Sequence, residues 1–236
     1  MKSFTKLLIA GVGAVMAGAF GVGSANATII TTPDLSITVG DKTFSNFGCS
    51  VTAHIGNALP LSCGQIDVVG LPADASGNIG ISFQTLFLAV APIGAVDVLL
   101  SYVVSVTDPN SLISDVHMSF NGSVVGDAIT SVVETVFAGG KVNGQCNTSE
   151  NPIAQIQVSN PPPVLNAAAD LSSPQSTACV IKDIGLAAFT PPSIGTISFI
   201  DQRFSQTTKV PEPATLGMLG IGLIGLGVLR RRRKAA

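Results

Sequence analysis

Residues 116–137 read VHMSFNGSVVGDAITSVVETVF, and their pattern predicts two β-strands. Its apolar residues at 116, 118 and 120 alternate with polar ones, a period of two that buries one face of a β-strand. The β-branched run Val124–Phe137 predicts a second, more central strand. Asn121-Gly122 stands between the two runs, and this pair predicts a hairpin with a tight turn.

The same alternation recurs along the chain, which predicts an all-β domain. Further alternating triplets are Leu35, Ile37 and Val39; Ile79, Ile81 and Phe83; and Ala154, Ile156 and Val158. A second β-branched run covers Val96–Thr107, and only Leu165–Leu171 is expected to form a short helical turn. Roughly ten strands at this spacing predict an antiparallel β-sandwich for residues 28–209, the central domain of the chain.

Composition excludes several classes of protein. The chain has 236 residues, of which 46% are hydrophobic and 11% charged. Disorder needs the opposite balance, and a coiled coil needs far more charged and helix-forming residues. Residues 28–209 contain five basic and 13 acidic side chains, a formal charge of −8. Such a domain repels phosphate backbones, so we expect no nucleic-acid partner.

The N-terminal 27 residues have the pattern of a secretory signal peptide. Lys2 and Lys6 precede an apolar stretch from Leu7 to Val22. Ala25-Asn26-Ala27 then supplies the small-x-small pattern that signal peptidase accepts, so cleavage is expected before Thr28. The alternative is an uncleaved N-terminal anchor. Cleavage would place residues 28–209 outside the cytoplasm.

The C-terminal segment, residues 210–236, has three parts. A short motif, Pro211-Glu212-Pro213, precedes the uncharged stretch Ala214–Leu229. As a helix this stretch would span about 24 Å, and flanking cations can reach the headgroups to complete a crossing of the inner membrane. The cations that end the chain are Arg230, Arg231, Arg232, Arg233 and Lys234. They should remain cytoplasmic; a plain single-pass anchor and a buried apolar helix are the alternatives.

This three-part tail resembles the PEP-CTERM sorting signal of Gram-negative bacteria. The resemblance rests on the Pro-Glu-Pro motif, the Gly-rich apolar stretch and the terminal arginines, and it covers about the last 27 residues. It implies that an exosortase, an integral-membrane cysteine peptidase, recognises the tail and cuts at or near the motif. Proteins of this kind occur in bacteria that make exopolysaccharide and biofilm. The implied destination is the cell surface or extracellular matrix.

The cysteines agree with export. Cys49, Cys63, Cys146 and Cys179 form an even set within the exported part, which predicts two disulfides in an oxidising compartment. Pairing of neighbours, Cys49 with Cys63 and Cys146 with Cys179, closes the shorter loops, but three connectivities remain open. A zinc site is the alternative, although the chain has neither a C-x-x-C nor an H-x-x-x-H pair.

No catalytic, cofactor or metal site is predicted from motifs. The domain lacks G-x-S-x-G and the chain lacks H-E-x-x-H, and its two histidines, His54 and His117, are expected to be structural or solvated. Glu134 interrupts an apolar run, either as an edge-strand charge that blocks aggregation, which we favour, or as a paired group at a site. The segment Asp74-Ala75-Ser76-Gly77-Asn78 distantly resembles a calcium loop, but a turn is the expected structure.

Three hypotheses for function follow. The first is a non-catalytic surface or matrix protein with a structural or adhesive role in exopolysaccharide or biofilm. The second is a module that binds calcium or polysaccharide, although the absence of Trp and the single Tyr argue against ring stacking on sugars. The third is a secreted hydrolase that uses carboxylates.

Overall fold

The computed structural model describes residues 27–208, and these residues form an all-β protein. Eleven strands pair antiparallel, and the described chain contains no α-helix, only a 3-10 turn at Cys63–Gln65. The predicted all-β, antiparallel fold is confirmed. Nowhere in residues 27–208 is there a helix long and apolar enough to cross a membrane. The predicted signal peptide up to residue 26 and the predicted tail from residue 209 lie outside the described residues.

The strands differ greatly in length. They are β1 (Thr28–Ile29), β2 (Ile37–Val39), β3 (Lys42–Leu59), β4 (Asp67–Leu71), β5 (Ile79–Val106), β6 (Ser111–Phe120), β7 (Ser123–Ala138), β8 (Ala154–Asn160), β9 (Asn166–Gln175), β10 (Thr177–Phe204) and β11 (Gln206–Thr208). Strands β5 and β10, each of 28 residues, pair with each other along most of their length. Their register shifts between Ala188 and Ile194, near the middle of both strands.

Strand β5 folds back on itself, and the sheet folds with it. The rings of Phe83 and Tyr102 lie 5.7 Å apart between centroids although both belong to β5. In a straight strand, 19 residues would separate them by roughly 60 Å. The two halves of β5 therefore face each other, and the paired strand β10 follows the same path.

The folded sheet has two facing layers that share β5 and β10. Layer 1 contains residues 94–106 of β5 and 177–188 of β10, in the strand order β8-β7-β10-β5-β3-β2. Layer 2 contains residues 79–84 of β5 and 199–204 of β10, in the order β9-β6-β10-β5-β4-β1. Strand β11 also pairs with β6. Each layer thus takes one half of both long strands.

The core lies between the layers. Phe44, Phe83, Tyr102 and Phe204 are fully buried, and their rings contact one another across the interior. Burial of each such side chain contributes about 1.5–3 kcal/mol. The alternation read from the sequence accounts for the inward residues, since each strand sends every second side chain into this space.

The Asn121-Gly122 hairpin prediction is wrong. Strands β6 and β7 do not pair with each other, because both pair with successive parts of β10. The Asn121 side chain explains the difference. Its Oδ1 accepts hydrogen bonds from the backbone N–H groups of Ser198 (2.9 Å) and Phe199 (3.1 Å), so it bonds to β10 between the two strands.

The helical turn predicted for Leu165–Leu171 is also wrong. Most of this segment lies in β9, which pairs with β6 from Asn166 to Asp170. The alanines at 167–169 favour a helix in isolation, but pairing with the edge of layer 2 determines their conformation.

Candidate functional site

A polar groove of about 440 Å³ opens on the outer face of layer 2. Strands β6, β9 and β10 and the segment before β5 contribute its walls. Its polar side chains are Asp74, Asn78, His117, Ser119, Asn166, Asp201 and Arg203. Alternation explains their placement, because Met118 and Gln202 point into the core while His117 and Arg203 point outward. The groove is therefore the polar side of strands whose other side forms the core.

A tight turn fixes one wall of the groove. Oδ1 of Asp74 accepts hydrogen bonds from the backbone N–H groups of Ser76 and Asn78, both at 2.9 Å. The Asn78 bond is the largest cause of a lowered pKa for Asp74, which keeps this carboxylate ionised. Its side chain thus serves the turn, as the sequence predicted, and no cluster of three metal-ligating side chains occurs in residues 27–208.

Arg203 ties the turn to the sheet. Its Nη1 donates hydrogen bonds to the carbonyl oxygens of Pro72 (2.7 Å) and Asn78 (2.9 Å). The guanidinium also lies near enough to Asp74 to contribute to the lowered pKa of that carboxyl group. The groove therefore holds a fixed cation beside a fixed anion, together with amide and imidazole groups that can bond to hydroxyls.

Asp115, His117 and Ser205 meet beside the groove but do not form a catalytic triad. Nε2 of His117 lies 3.1 Å from Oδ1 of Asp115 and 3.3 Å from Oγ of Ser205. A triad places the carboxylate and the hydroxyl on opposite ring nitrogens, so that the first orients the base and the second gives up its proton. Here both use one nitrogen, and Ser205 Oγ donates instead to Oδ1 of Asn78 at 2.6 Å.

His54, the other histidine, has a local structural contact. Its Nε2 donates to the carbonyl oxygen of Ala58 at 2.8 Å, within the same strand. This agrees with the role predicted from the sequence.

Both disulfides are present with the pairing favoured from the sequence. Cys49 bonds to Cys63, and Cys146 bonds to Cys179. The second is buried with Val103 and Phe137 in a small apolar cluster on the outer side of layer 1. No free cysteine occurs among the described residues, so the zinc alternative is excluded.

Glu134 is not the edge-strand charge that we favoured. Strand β7 pairs on both sides, with Glu134 opposite Lys182 of β10 and Ile156 of β8, and the side chain is fully buried. Its Oε2 accepts a short hydrogen bond from Nζ of Lys182, which is equally buried. Glu134 is therefore a paired group, as the alternative interpretation has it, and whether the pair belongs to a site stays a prediction. The sequence did not reveal the partner, because Lys182 lies 48 residues away.

The comparisons with known proteins confirm the tail. Residues 209–233 match the PEP-CTERM protein-sorting motif. The chain therefore carries the sorting signal that its sequence predicted, and this signal implies export, a C-terminal membrane-anchoring segment and processing by an exosortase. The matched residues lie outside the described part of the structure, as does Ala25 of the predicted cleavage site, whereas Ala27 is its first residue.

No curated protein matches the chain. Among solved structures, the chain resembles TmCBM61 in complex with beta-1,4-galactotriose, at 10% identity and a TM-score of 0.33, covering 67% of this chain and 88% of that one. It also resembles the Trichoderma harzianum Endoglucanase 3 from family GH12, at 12% identity and a TM-score of 0.24, covering 67% and 98%. Scores this low support no conclusion about function.

Proposed function

We propose that residues 28–209 form a non-catalytic β-sandwich domain that exosortase processing delivers to the cell surface or extracellular matrix. There it has a structural or adhesive role in exopolysaccharide or biofilm. The sorting motif at residues 209–233 carries this proposal. The arrangement of Asp115, His117 and Ser205 argues against serine-type catalysis at this place, because one ring nitrogen of the imidazole contacts both the carboxylate and the hydroxyl.

The intact mass of the protein recovered from its producing bacterium tests delivery. We expect a species that begins at Thr28 and ends near Pro211-Glu212-Pro213. Replacing these three residues by alanine should leave the tail uncut. A wild-type species that still carries Arg230–Lys234 would mean that the tail is only an anchor. Turnover of polysaccharide, ester or peptide substrates by the purified protein at an enzyme-like rate would overturn the non-catalytic assignment.

Binding of polysaccharide in the groove is a second candidate function. The groove offers Asn166, Asp201 and His117 as hydrogen-bonding groups but no aromatic ring for stacking, so recognition would depend on sugar hydroxyls. Cosedimentation with the native matrix tests it. Asn166→Ala together with Asp201→Asn should abolish retention, whereas Asn151→Ala, an exposed change outside the groove, should not. Equal retention of both variants would exclude the groove, and loss with a chelator would indicate calcium-bridged contact instead.

A further inference from the structure

Three polar side chains meet inside the apolar core. Lys182 points inward from the layer 1 half of β10, Gln202 from its layer 2 half, and Glu134 from β7. All three are 0% exposed. The chain therefore places an amine, a carboxyl group and a carboxamide together where water does not reach.

The amine lies between the other two groups. Nζ of Lys182 donates to Oε2 of Glu134 in a short hydrogen bond and to Oε1 of Gln202 at 2.5 Å. Sδ of Met118 is a third neighbour at 3.3 Å. Oε1 of Glu134 has no hydrogen-bond partner among the described residues. One carboxyl oxygen thus contacts the amine while the other is available for a second proton transfer.

Burial also favours the uncharged forms of the pair. Desolvation is the largest influence on both groups; it lowers the pKa of Lys182 and raises that of Glu134, against the mutual attraction of their charges. A neutral amine has the lone pair that nucleophilic attack requires, and a neutral carboxylic acid has a proton to donate. Exclusion of water protects such a reaction from competing hydrolysis.

We propose that Lys182 and Gln202 become joined by an isopeptide bond after folding, with Glu134 transferring the protons. Nζ attacks Cδ of the Gln202 carboxamide while Glu134 protonates the carboxamide oxygen. The carboxylate then removes a proton from Nζ and transfers it to the departing Nε2, and it takes back the proton of the carboxamide oxygen as the carbonyl group re-forms. A bond forms between Nζ and Cδ, the bond between Cδ and Nε2 breaks, and one ammonia leaves. No oxidant or cofactor is consumed.

The bond would fasten the two layers to each other. Lys182 is in register with Leu100 in layer 1, and Gln202 is in register with Ile81 in layer 2. Neither disulfide makes this connection in the middle of the core. Cys49 and Cys63 lie at the margin of the core, and Cys146 and Cys179 lie on the outer side of layer 1. The reaction occurs once per chain, so it is compatible with a domain that turns over no substrate.

Trypsin digestion tests the proposal. The protein is recovered from its bacterium, reduced and alkylated, and then digested. The bond blocks cleavage after Lys182, so residues 142–203 should appear as one peptide lighter by one ammonia than its sequence. Fragmentation should yield no separated pieces from breaks between 182 and 202. Loss of ammonia alone is insufficient, because Asn143-Gly144 can lose ammonia as a succinimide. Separate peptides 142–182 and 183–203 at sequence mass would overturn the proposal, as would peptide 142–203 at its full mass.

The same digest distinguishes other partners of Lys182. An amide to Glu134 would release water and join peptide 142–203 to peptide 43–141, which would overturn the assignment to Gln202.

Lys42 is an internal control for this digest. It too is buried, and it contacts the carboxylate of Asp41 at 3.0 Å and the carboxamide of Gln206 at 3.4 Å, but Asp41 is partly exposed and Gln206 is exposed. We expect normal cleavage after Lys42.

The variant Glu134→Gln tests the proton transfer. We expect it to form both disulfides and to give peptides 142–182 and 183–203 at sequence mass. Cross-linking at the wild-type level would overturn the role of Glu134. If the variant does not fold, the wild-type digest still decides whether the bond exists.

Discussion

Lys182 and Glu134 lie directly opposite each other on β10 and β7, and the amine pairs with the carboxyl group with no exposure to solvent. Charged groups at such depth are costly unless each is fully partnered. Nζ of Lys182 has two oxygen neighbours, whereas one oxygen of Glu134 has no hydrogen-bond partner within residues 27–208. Loss of either partner of this pair should therefore lower the free energy of unfolding.

Removing the lysine should destabilise the domain strongly. Lys182→Met keeps the apolar stem but leaves the buried carboxyl group of Glu134 without its hydrogen-bond partner and removes the proposed bond to Gln202, and we expect a loss of about 3–5 kcal/mol in the free energy of unfolding. Urea titration followed by circular dichroism measures it. The double variant Lys182→Met, Glu134→Leu should recover much of the loss, because it leaves no unpaired polar group.

Lys42→Met is the matched control. Lys42 is 1% exposed, but its partner Asp41 is 25% exposed and can be solvated when the lysine is lost. A smaller loss than for Lys182→Met is therefore expected. Equal losses would show that burial of the partner does not determine the cost.

Tyr102→Phe should leave stability unchanged or raise it. The Tyr102 hydroxyl is buried and has no hydrogen-bond partner among the described residues, while its ring contacts Phe44, Phe47 and Phe83. An unpaired buried hydroxyl costs about 1–3 kcal/mol, and the substitution removes only that group. Thermal unfolding of the two proteins checks this. A clearly lower midpoint for Tyr102→Phe would mean that the hydroxyl has a stabilising contact.

The sequence predicted local structure well and the folding of the sheet poorly. Alternation at Val116–Phe120 identifies a strand and its buried face because that pattern depends only on the nearest residues. It cannot show that β5 turns back so that Phe83 meets Tyr102. For the same reason Asn121-Gly122 was misread: turn chemistry is local, but its bonds to Ser198 and Phe199 depend on a distant strand.

The candidate site also has a part that the sequence could predict and a part that it could not. The turn at Asp74 follows from the residues beside it and was predicted. Asn166, Asp201 and Arg203 reach one groove only because β9, β6 and β10 are neighbours in layer 2. Lys182 and Gln202 are isolated polar residues in their own segments, and alternation alone could have shown that both face the core. Their meeting requires the two layers to be in place.

Asp183→Asn should stabilise the domain at neutral pH. Partial burial, and then the nearby charge of Asp97, raise the pKa of Asp183 above its ordinary value of 3.8. The folded chain therefore binds this proton more tightly than the unfolded chain, and stability falls as pH rises from about 4 through the raised pKa. The substitution removes that loss, and because the Asp183 side chain is exposed and its charge is screened by solvent, we expect a gain of only about a few tenths of a kcal/mol at pH 7.

Urea titrations at pH 7 and at pH 4 check the sign of this change in the free energy of unfolding. The gain should shrink as the pH falls from 7 toward 4, because Asp183 takes up its proton in the folded protein before it does so in the unfolded chain. Asp34→Asn, at an exposed position before β2, is the control and should change stability little at either pH. A gain for Asp183→Asn that is the same at pH 4 and pH 7 would contradict a charge effect.

The two disulfides should differ in their contribution to stability and in their accessibility. Cys146 and Cys179 are 33 residues apart, and Cys49 and Cys63 are 14 apart. The chain-entropy model gives about 4 and about 3 kcal/mol for closing these loops. Replacing Cys146 and Cys179 by serine should cost still more than the model gives, because the bond holds Cys146 over Val103 and Phe137. The Cys49→Ser, Cys63→Ser pair is the matched control, and urea unfolding compares them.

Mild reduction of the native protein should open the Cys49–Cys63 disulfide first. Cys179 is 0% and Cys146 7% exposed, while the other two cysteines are only partly buried. Mass spectrometry after timed alkylation shows the order, and earlier labelling of Cys146 and Cys179 would mean that the segment containing Cys146 opens more readily than the margin of the core.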